Sequence, residues 1–65
     1  MTLTVNGETV QVDSPVTVAA LVAARTDQRR IAVARNGEVV PRSEWADTAL
    51  AEGDEVEILA AVAGG

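Results

Sequence analysis

The chain has 65 residues, no cysteine, no histidine, and ten acidic residues against five arginines, for a net charge of −5. That composition excludes a disulfide staple, a His/Cys zinc site, a thiol nucleophile and an imidazole base. It disfavours binding nucleic acid by phosphate neutralisation and makes a basic protein partner the more natural complement. A domain this short buries only about 60% of its unfolded surface, so its stability must come from a thin aliphatic core. Residues 1–7 carry neither a basic leader nor a long apolar run, so no signal peptide is expected. No stretch approaches the roughly 20 apolar residues of a membrane span. A cytoplasmic location is expected, and the lack of cysteine agrees with it.

In chain order, Thr2, Leu3, Thr4 and Val5 alternate polar and apolar, the period of a half-buried strand. Asn6-Gly7 is a hairpin signal, because both residues accept the positive φ of a type I′ turn. Residues 9–12 return with Val10 and Val12 on one face. Asp13-Ser14-Pro15 breaks the pattern, and Thr17 is placed to cap a helix over residues 18–25. Val18, Leu21, Val22 and Arg25 fall at helical spacing, and four alanines between them keep the helix slim.

Residues 31–35 read as a third strand, with Ile31 and Val33 on one face and Ala32 and Ala34 on a shallow opposite face. Asn36-Gly37 is a second turn signal, and Glu38-Val39-Val40 is a short strand ended by Pro41. Ser43 is expected to cap one helical turn through Glu44, Trp45 and Ala46. Gly53-Asp54 marks a tight turn. Over residues 55–61, Val56, Ile58 and Ala60 alternate with Glu55, Glu57 and Leu59.

One helix covers only one face of a sheet. The right-handed crossover rule lets the strand after the helix pair parallel to a strand of the first hairpin. The order therefore predicts a single α+β domain over residues 1–65. Its fold would be a ubiquitin-like β-grasp, a four- to five-stranded mixed sheet packed on one main helix plus a short helical turn.

The sequence ends in Gly64-Gly65 directly after the last strand. Without side chains, such an end can thread a narrow slot and present its carboxylate for activation by ATP. Taken alone, a glycine-rich end equally fits a frayed tail. Residues 63–65 are expected to be mobile in the free protein.

The run Ala32-Val33-Ala34-Arg35-Asn36-Gly37-Glu38-Val39-Val40-Pro41-Arg42-Ser43-Glu44-Trp45 resembles the central motif of the thiamine-biosynthesis sulfur carrier (ThiS) family. Thr48, Leu50, Glu52-Gly53-Asp54, the strand after them and Gly64-Gly65 resemble that family's C-terminal half. The opening Leu3-Thr4-Val5-Asn6-Gly7-Glu8 and the helix also fit. The helix departs from the leucine-rich face common in relatives, and residues 26–30 lack glycine.

The resemblance implies that a ubiquitin-activating-like (E1-like) enzyme uses ATP to convert the Gly65 carboxylate to an acyl adenylate. Sulfur, commonly drawn from cysteine by a desulfurase, then displaces AMP to leave a thiocarboxylate. Thiazole synthase takes that sulfur into the thiazole of thiamine. Gly65 would be the modified residue and Gly64 the neighbour that gives it access. The chain would be a stoichiometric carrier and not an enzyme. It would bind no cofactor or metal itself, ATP being the activating partner's substrate. One point is independent of the resemblance: without cysteine, carbon-bound sulfur can sit only on a carboxyl group, and Gly65 offers the accessible one.

Leu59, Ala61 and Val62, with Glu55 and Glu57, form the expected partner surface near the tail. Isolated exposed leucines are ordinary too. The carboxylates Glu52, Asp54, Glu55 and Glu57 read as a solvated acidic edge, or as a means of steering the domain toward a basic groove. Trp45, the only aromatic residue, is expected to cap the core with its indole N–H bonded to backbone or water. Arg42 fits either contact with an acidic partner or a tether to backbone carbonyls or Glu44. Three rival functions remain open: a sulfur carrier for molybdopterin, cysteine or tRNA thiolation, an adaptor module with no terminal chemistry, and a protein modifier joined to lysines through the same activated terminus.

Overall fold

The computed structural model describes residues 1–27 and 29–60. Two hairpins begin it in sequence and in logic. Strands β1 (Thr2–Val5) and β2 (Glu8–Gln11) pair antiparallel around Asn6-Gly7, and β3 (Ile31–Arg35) and β4 (Glu38–Val39) around Asn36-Gly37. Both asparagines have φ 51° and both glycines φ 85°. All four residues thus lie in the left-handed region that a type I′ turn demands at its two central positions.

Between the hairpins, helix α1 (Val18–Arg25) begins where expected. The Thr17 hydroxyl accepts a hydrogen bond from the Ala20 N–H at 3.1 Å. Val18, Leu21 and Val22 are its buried face. They pack with Leu3 and Val5 of β1, Val33 of β3, Leu50, Trp45, and Val56 of β5 (Glu55–Ala60) in one core. Alternation along β1, β3 and β5 places these residues on one side of the sheet and leaves the other side open.

The sheet order is β2-β1-β5-β3-β4. This corrects the expectation that the strand following the helix would pair with the first hairpin. Strand β5 takes that place, parallel to β1 and antiparallel to β3. It is the longest strand, and a central position satisfies its backbone on both edges, while the two shorter hairpins tolerate open edges.

The parallel β1–β5 ladder is brief, with Thr4 opposite Glu55 and Val5 opposite Val56. The Asn6 side chain lengthens it. Its Oδ1 accepts from the Ile58 N–H at 2.8 Å and its Nδ2 donates to the Ile58 carbonyl at 3.1 Å. On the other side, Asn36 Oδ1 accepts from the Glu55 N–H at 2.9 Å, and the Asn36 N–H donates to the Glu55 carbonyl at 2.7 Å. The turn asparagines therefore have two tasks: they adopt positive φ, and their amides pair with the central strand.

The segment after β4 also differs from expectation. It is a 3₁₀ helix, η1 (Arg42–Asp47), that starts at Arg42 behind Pro41, and no side chain caps it. Ser43 is thus inside the helix and not its cap. Proline already fixes the entry φ, and the Glu44 N–H is satisfied by the Pro41 carbonyl at 2.8 Å. The indole N–H of Trp45 donates to the Val40 carbonyl at 2.8 Å, and the ring is buried, as expected of a core cap.

The Asn6→Ala variant should lose about 1–2 kcal/mol from its missing pair of hydrogen bonds and its strained turn. Urea unfolding should show a lower midpoint with an unchanged slope. An unaltered midpoint would mean that the side chain adds nothing to the ladder.

Candidate functional site

The candidate site is built on β5, because that strand leads in sequence to residues 61–65. The last described pairing sets Ala60 opposite Ile31, at the start of β3. Ala61, Val62, Gly64 and Gly65 lie outside the described residues, as does the mobility expected of 63–65.

Glu55, Glu57 and Leu59 all project from the open face of the sheet, opposite the buried Val56. Leu59 is 57% exposed and faces Ala32 across the β3–β5 ladder, while Glu57 faces Ala34. Ala34 in turn pairs with Val39 of β4, which is 74% exposed. The two alanines leave a low strip between Leu59 and Val39. Sequence reading foresaw Leu59 but missed Val39, whose place beside Ala34 depends on the β3–β4 register. Toward β1 the face holds an open depression of about 470 Å³ lined by Thr4, Asn6, Gly7, Glu55, Val56, Glu57 and Leu59.

The expected acidic edge divides into two kinds of carboxylate. Glu55 and Glu57 are solvated. Asp54 is buried, at 7% exposure, and Glu52 accepts from the Thr2 N–H at 2.9 Å. The reading of Asp54 as a solvated edge residue is therefore corrected. Its Oδ2 accepts from Arg35 Nε at 2.8 Å and from the Ala51 N–H at 2.8 Å, and its Oδ1 accepts from Asn36 Nδ2 at 3.0 Å. Residues 51–54 form a turn closed by the Asp54 N–H on the Ala51 carbonyl, with Gly53 at φ 84°. Only a residue free of Cβ strain adopts that angle readily.

Burial alone would raise the Asp54 carboxyl pKa. The Ala51 N–H, the Asn36 amide and the Arg35 guanidinium outweigh burial and hold it below the usual carboxylate value. This network fastens the base of β5 to the β3–β4 hairpin. Its donors are spread over residues 35–51, which is why the composition of the acidic stretch did not reveal it.

Arg42 adopts the tethering role, though not onto Glu44. Its Nη2 donates to the Arg29 carbonyl, and its guanidinium lies 4.5 Å from the centroid of the Trp45 ring, a cation–π distance. Among the described residues, no group of three or more acidic side chains is arranged to hold a metal ion. No helix among them is long and apolar enough to cross a membrane.

A mixed five-stranded sheet folded around one helix, with a 3₁₀ turn before its central strand, defines a ubiquitin-like β-grasp domain. A model of the ThiS family matches residues 2–65. The chain belongs to the ThiS family. It resembles the crystal structure of the thiamine biosynthesis protein ThiS from Geobacter metallireducens, with a TM-score of 0.86 and 36% identity over the full length of both chains. It also resembles the solution NMR structure of a thiamine biosynthesis protein from the same organism, with a TM-score of 0.81 and 38% identity, covering all of this chain and 88% of that one. A thiazole synthase of Paramagnetospirillum magneticum is 42% identical over 66 residues. The match takes in this whole chain but only 20% of that relative's length.

The Asp54 network sets a pH dependence. A carboxyl whose folded pKa lies below its unfolded value adds stability that is present above the unfolded value, near 3.8, and is lost as pH falls through the lower folded value. Wild-type stability should therefore drop as pH is lowered below about 4. The Asp54→Asn variant should be less stable at pH 7 by about 3 kcal/mol and should show a shallower loss in acid. Urea midpoints across pH 2.5–7 (roughly, spanning the carboxylate range) check this, and parallel profiles for the two proteins would contradict it.

Proposed function

We propose that the chain is a sulfur carrier of thiazole formation in thiamine biosynthesis, with the sulfur held as a thiocarboxylate on Gly65. The observation that carries the reading is the family match, which runs through Gly65 itself. The composition supports it, since a chain without cysteine offers sulfur no thiol site and leaves carboxyl groups, among which the family match points to that of Gly65.

The chemistry has two displacements followed by cleavage of a sulfur–sulfur bond. A Gly65 carboxylate oxygen attacks the α-phosphorus of ATP on an E1-like activating enzyme. The acyl–phosphate bond forms, and pyrophosphate leaves. The terminal sulfur of a donor persulfide, such as that of a cysteine desulfurase, then attacks the acyl carbon, and AMP leaves with the bonding electrons. A thiol next cleaves the resulting acyl disulfide, leaving the thiocarboxylate on Gly65 and a disulfide on the donor. The protein itself supplies a carboxylate, a Gly64 with no Cβ to obstruct a slot, and a fixed platform behind them. It is a co-substrate and turns nothing over.

Thiazole synthase is the acceptor in this reading. Its support is the relative named thiazole synthase, in which a segment like this chain makes up one fifth of the length. The open face of β5 serves as the docking surface. Leu59 supplies apolar area, Glu55 and Glu57 supply charge, and Ala61 and Val62 continue the same sequence toward the tail.

Complementation tests both parts. The full chain should restore growth to a thiazole auxotroph lacking its own carrier, and the same chain without Gly64-Gly65 should fail completely. Leu59→Asp should remain folded and rescue poorly. Rescue by the truncated chain would favour an adaptor over a carrier, and full rescue by Leu59→Asp would remove β5 from the docking surface.

A further inference from the structure

Charge is not spread evenly over this acidic protein. Arg25 ends α1, Arg29 and Arg30 lie in the connection to β3, and Arg42 opens η1; all four are exposed. The bond from Arg42 to the Arg29 carbonyl joins the last two of these segments. α1 and the connection after it hold Arg25, Arg29 and Arg30 against Asp27, a net +2, and Arg42 of η1 joins them through the Arg29 carbonyl. The remainder of the chain, with Arg35 and Arg42 against nine carboxylates, carries −7. Glu44 lines a second depression with Arg35, Asn36 and Glu38.

The basic end is also the end from which the tail departs. Ala60 pairs with Ile31, the residue directly after Arg30. Residues 61–65 span at most about 18 Å when extended, so the basic end must come close to any enzyme that takes Gly65 into a slot. Stacking on Trp45 and the bond to the Arg29 carbonyl also fix the Arg42 guanidinium in place before any partner arrives.

We propose that the surface formed by Arg25, Arg29, Arg30 and Arg42 docks on acidic side chains that rim the tail slot of the activating enzyme. This rests on the carrier reading above and adds a second contact, distinct from the Leu59 face and opposite to it in sign. An enzyme loaded with ATP holds anionic phosphates at the base of that slot, and a carrier of net charge −5 is repelled by them as a whole. A separated charge distribution turns the domain so that its basic end, with the tail, meets the rim first. The acidic sheet face is then directed away from the nucleotide. Four guanidinium groups on three segments suit a broad acidic rim better than a single small anion.

The test uses the full chain, the activating enzyme of the same organism, and ATP-dependent release of pyrophosphate. Arg29→Glu/Arg30→Glu leaves the Arg29 carbonyl, Arg42 and Trp45 in place and alters only exposed side chains. At low salt its kcat/KM should fall by about tenfold or more with kcat little changed, and the gap should close as salt is raised. Binding without nucleotide should weaken by a similar factor. Arg29→Gln/Arg30→Gln, which adds no repulsion, should give a smaller loss in the same direction and serves if the reversal variant unfolds. Wild-type values of kcat/KM at every salt concentration would overturn the proposal. So would a defect seen only with ATP bound, because the arginines would then be meeting phosphates and not an acidic rim. If the wild-type chain releases no pyrophosphate with an enzyme active on another carrier, the carrier reading fails and this surface falls with it.

Discussion

The structure depends on holding one strand, β5, between two hairpins that were formed without it. Each hairpin closes locally around an Asn-Gly turn, but β5 follows both in sequence and must find its partners at long range. Its ladder with β1 spans only Thr4–Glu55 and Val5–Val56. The Asn6 amide extends that ladder to Ile58, and Asn36 does the corresponding work at Glu55. Buried or half-buried backbone groups must be paired, and here two side chains complete what the short strands cannot. Asp54 then fixes the start of β5 through Arg35, Asn36 and the Ala51 N–H.

This construction explains how so thin a core can support a defined platform. Among the described residues, nine buried apolar side chains from β1, α1, β3, η1, the connection after it and β5 make up the core. Most are Val or Leu, and Trp45 closes one end through its hydrogen bond to Val40. Aliphatic packing supplies the driving force, while the asparagine and aspartate contacts set the register. Register has functional weight, because shifting β5 by one residue would exchange Leu59 and Glu57 for Ile58 and Val56 on the open face.

Much of this was legible in the sequence wherever the signal is local. The positive φ of Asn6 and Asn36, the Thr17 cap and the bounds of α1 and β3 follow from turn chemistry, capping and periodicity, which act over a few residues. The outward position of Leu59 follows from alternation along β5. What was not legible needs pairing between distant segments. The insertion of β5 between β1 and β3 was not apparent, nor was the exposure of Val39 beside Ala34. The burial of Asp54 was hidden because its side-chain partners, Arg35 and Asn36, come from the distant β3–β4 hairpin. Ser43 misled because serine is a common cap, whereas the preceding proline makes a cap unnecessary there.

Two opposite surfaces now flank the strand that leads to the tail: an apolar and acidic open face and an arginine-bearing end. In the reading proposed above, they give a small carrier separate means of addressing different enzymes with the same terminus. The central claim remains the chemistry at Gly65. Its most direct test is the intact mass of the untagged chain after incubation with its activating enzyme, ATP and a sulfur source. Replacement of one carboxyl oxygen by sulfur should raise the mass by about 16 Da, and fragmentation should localise the change to Gly65. An unchanged mass, with the enzyme active on another carrier, would contradict the account.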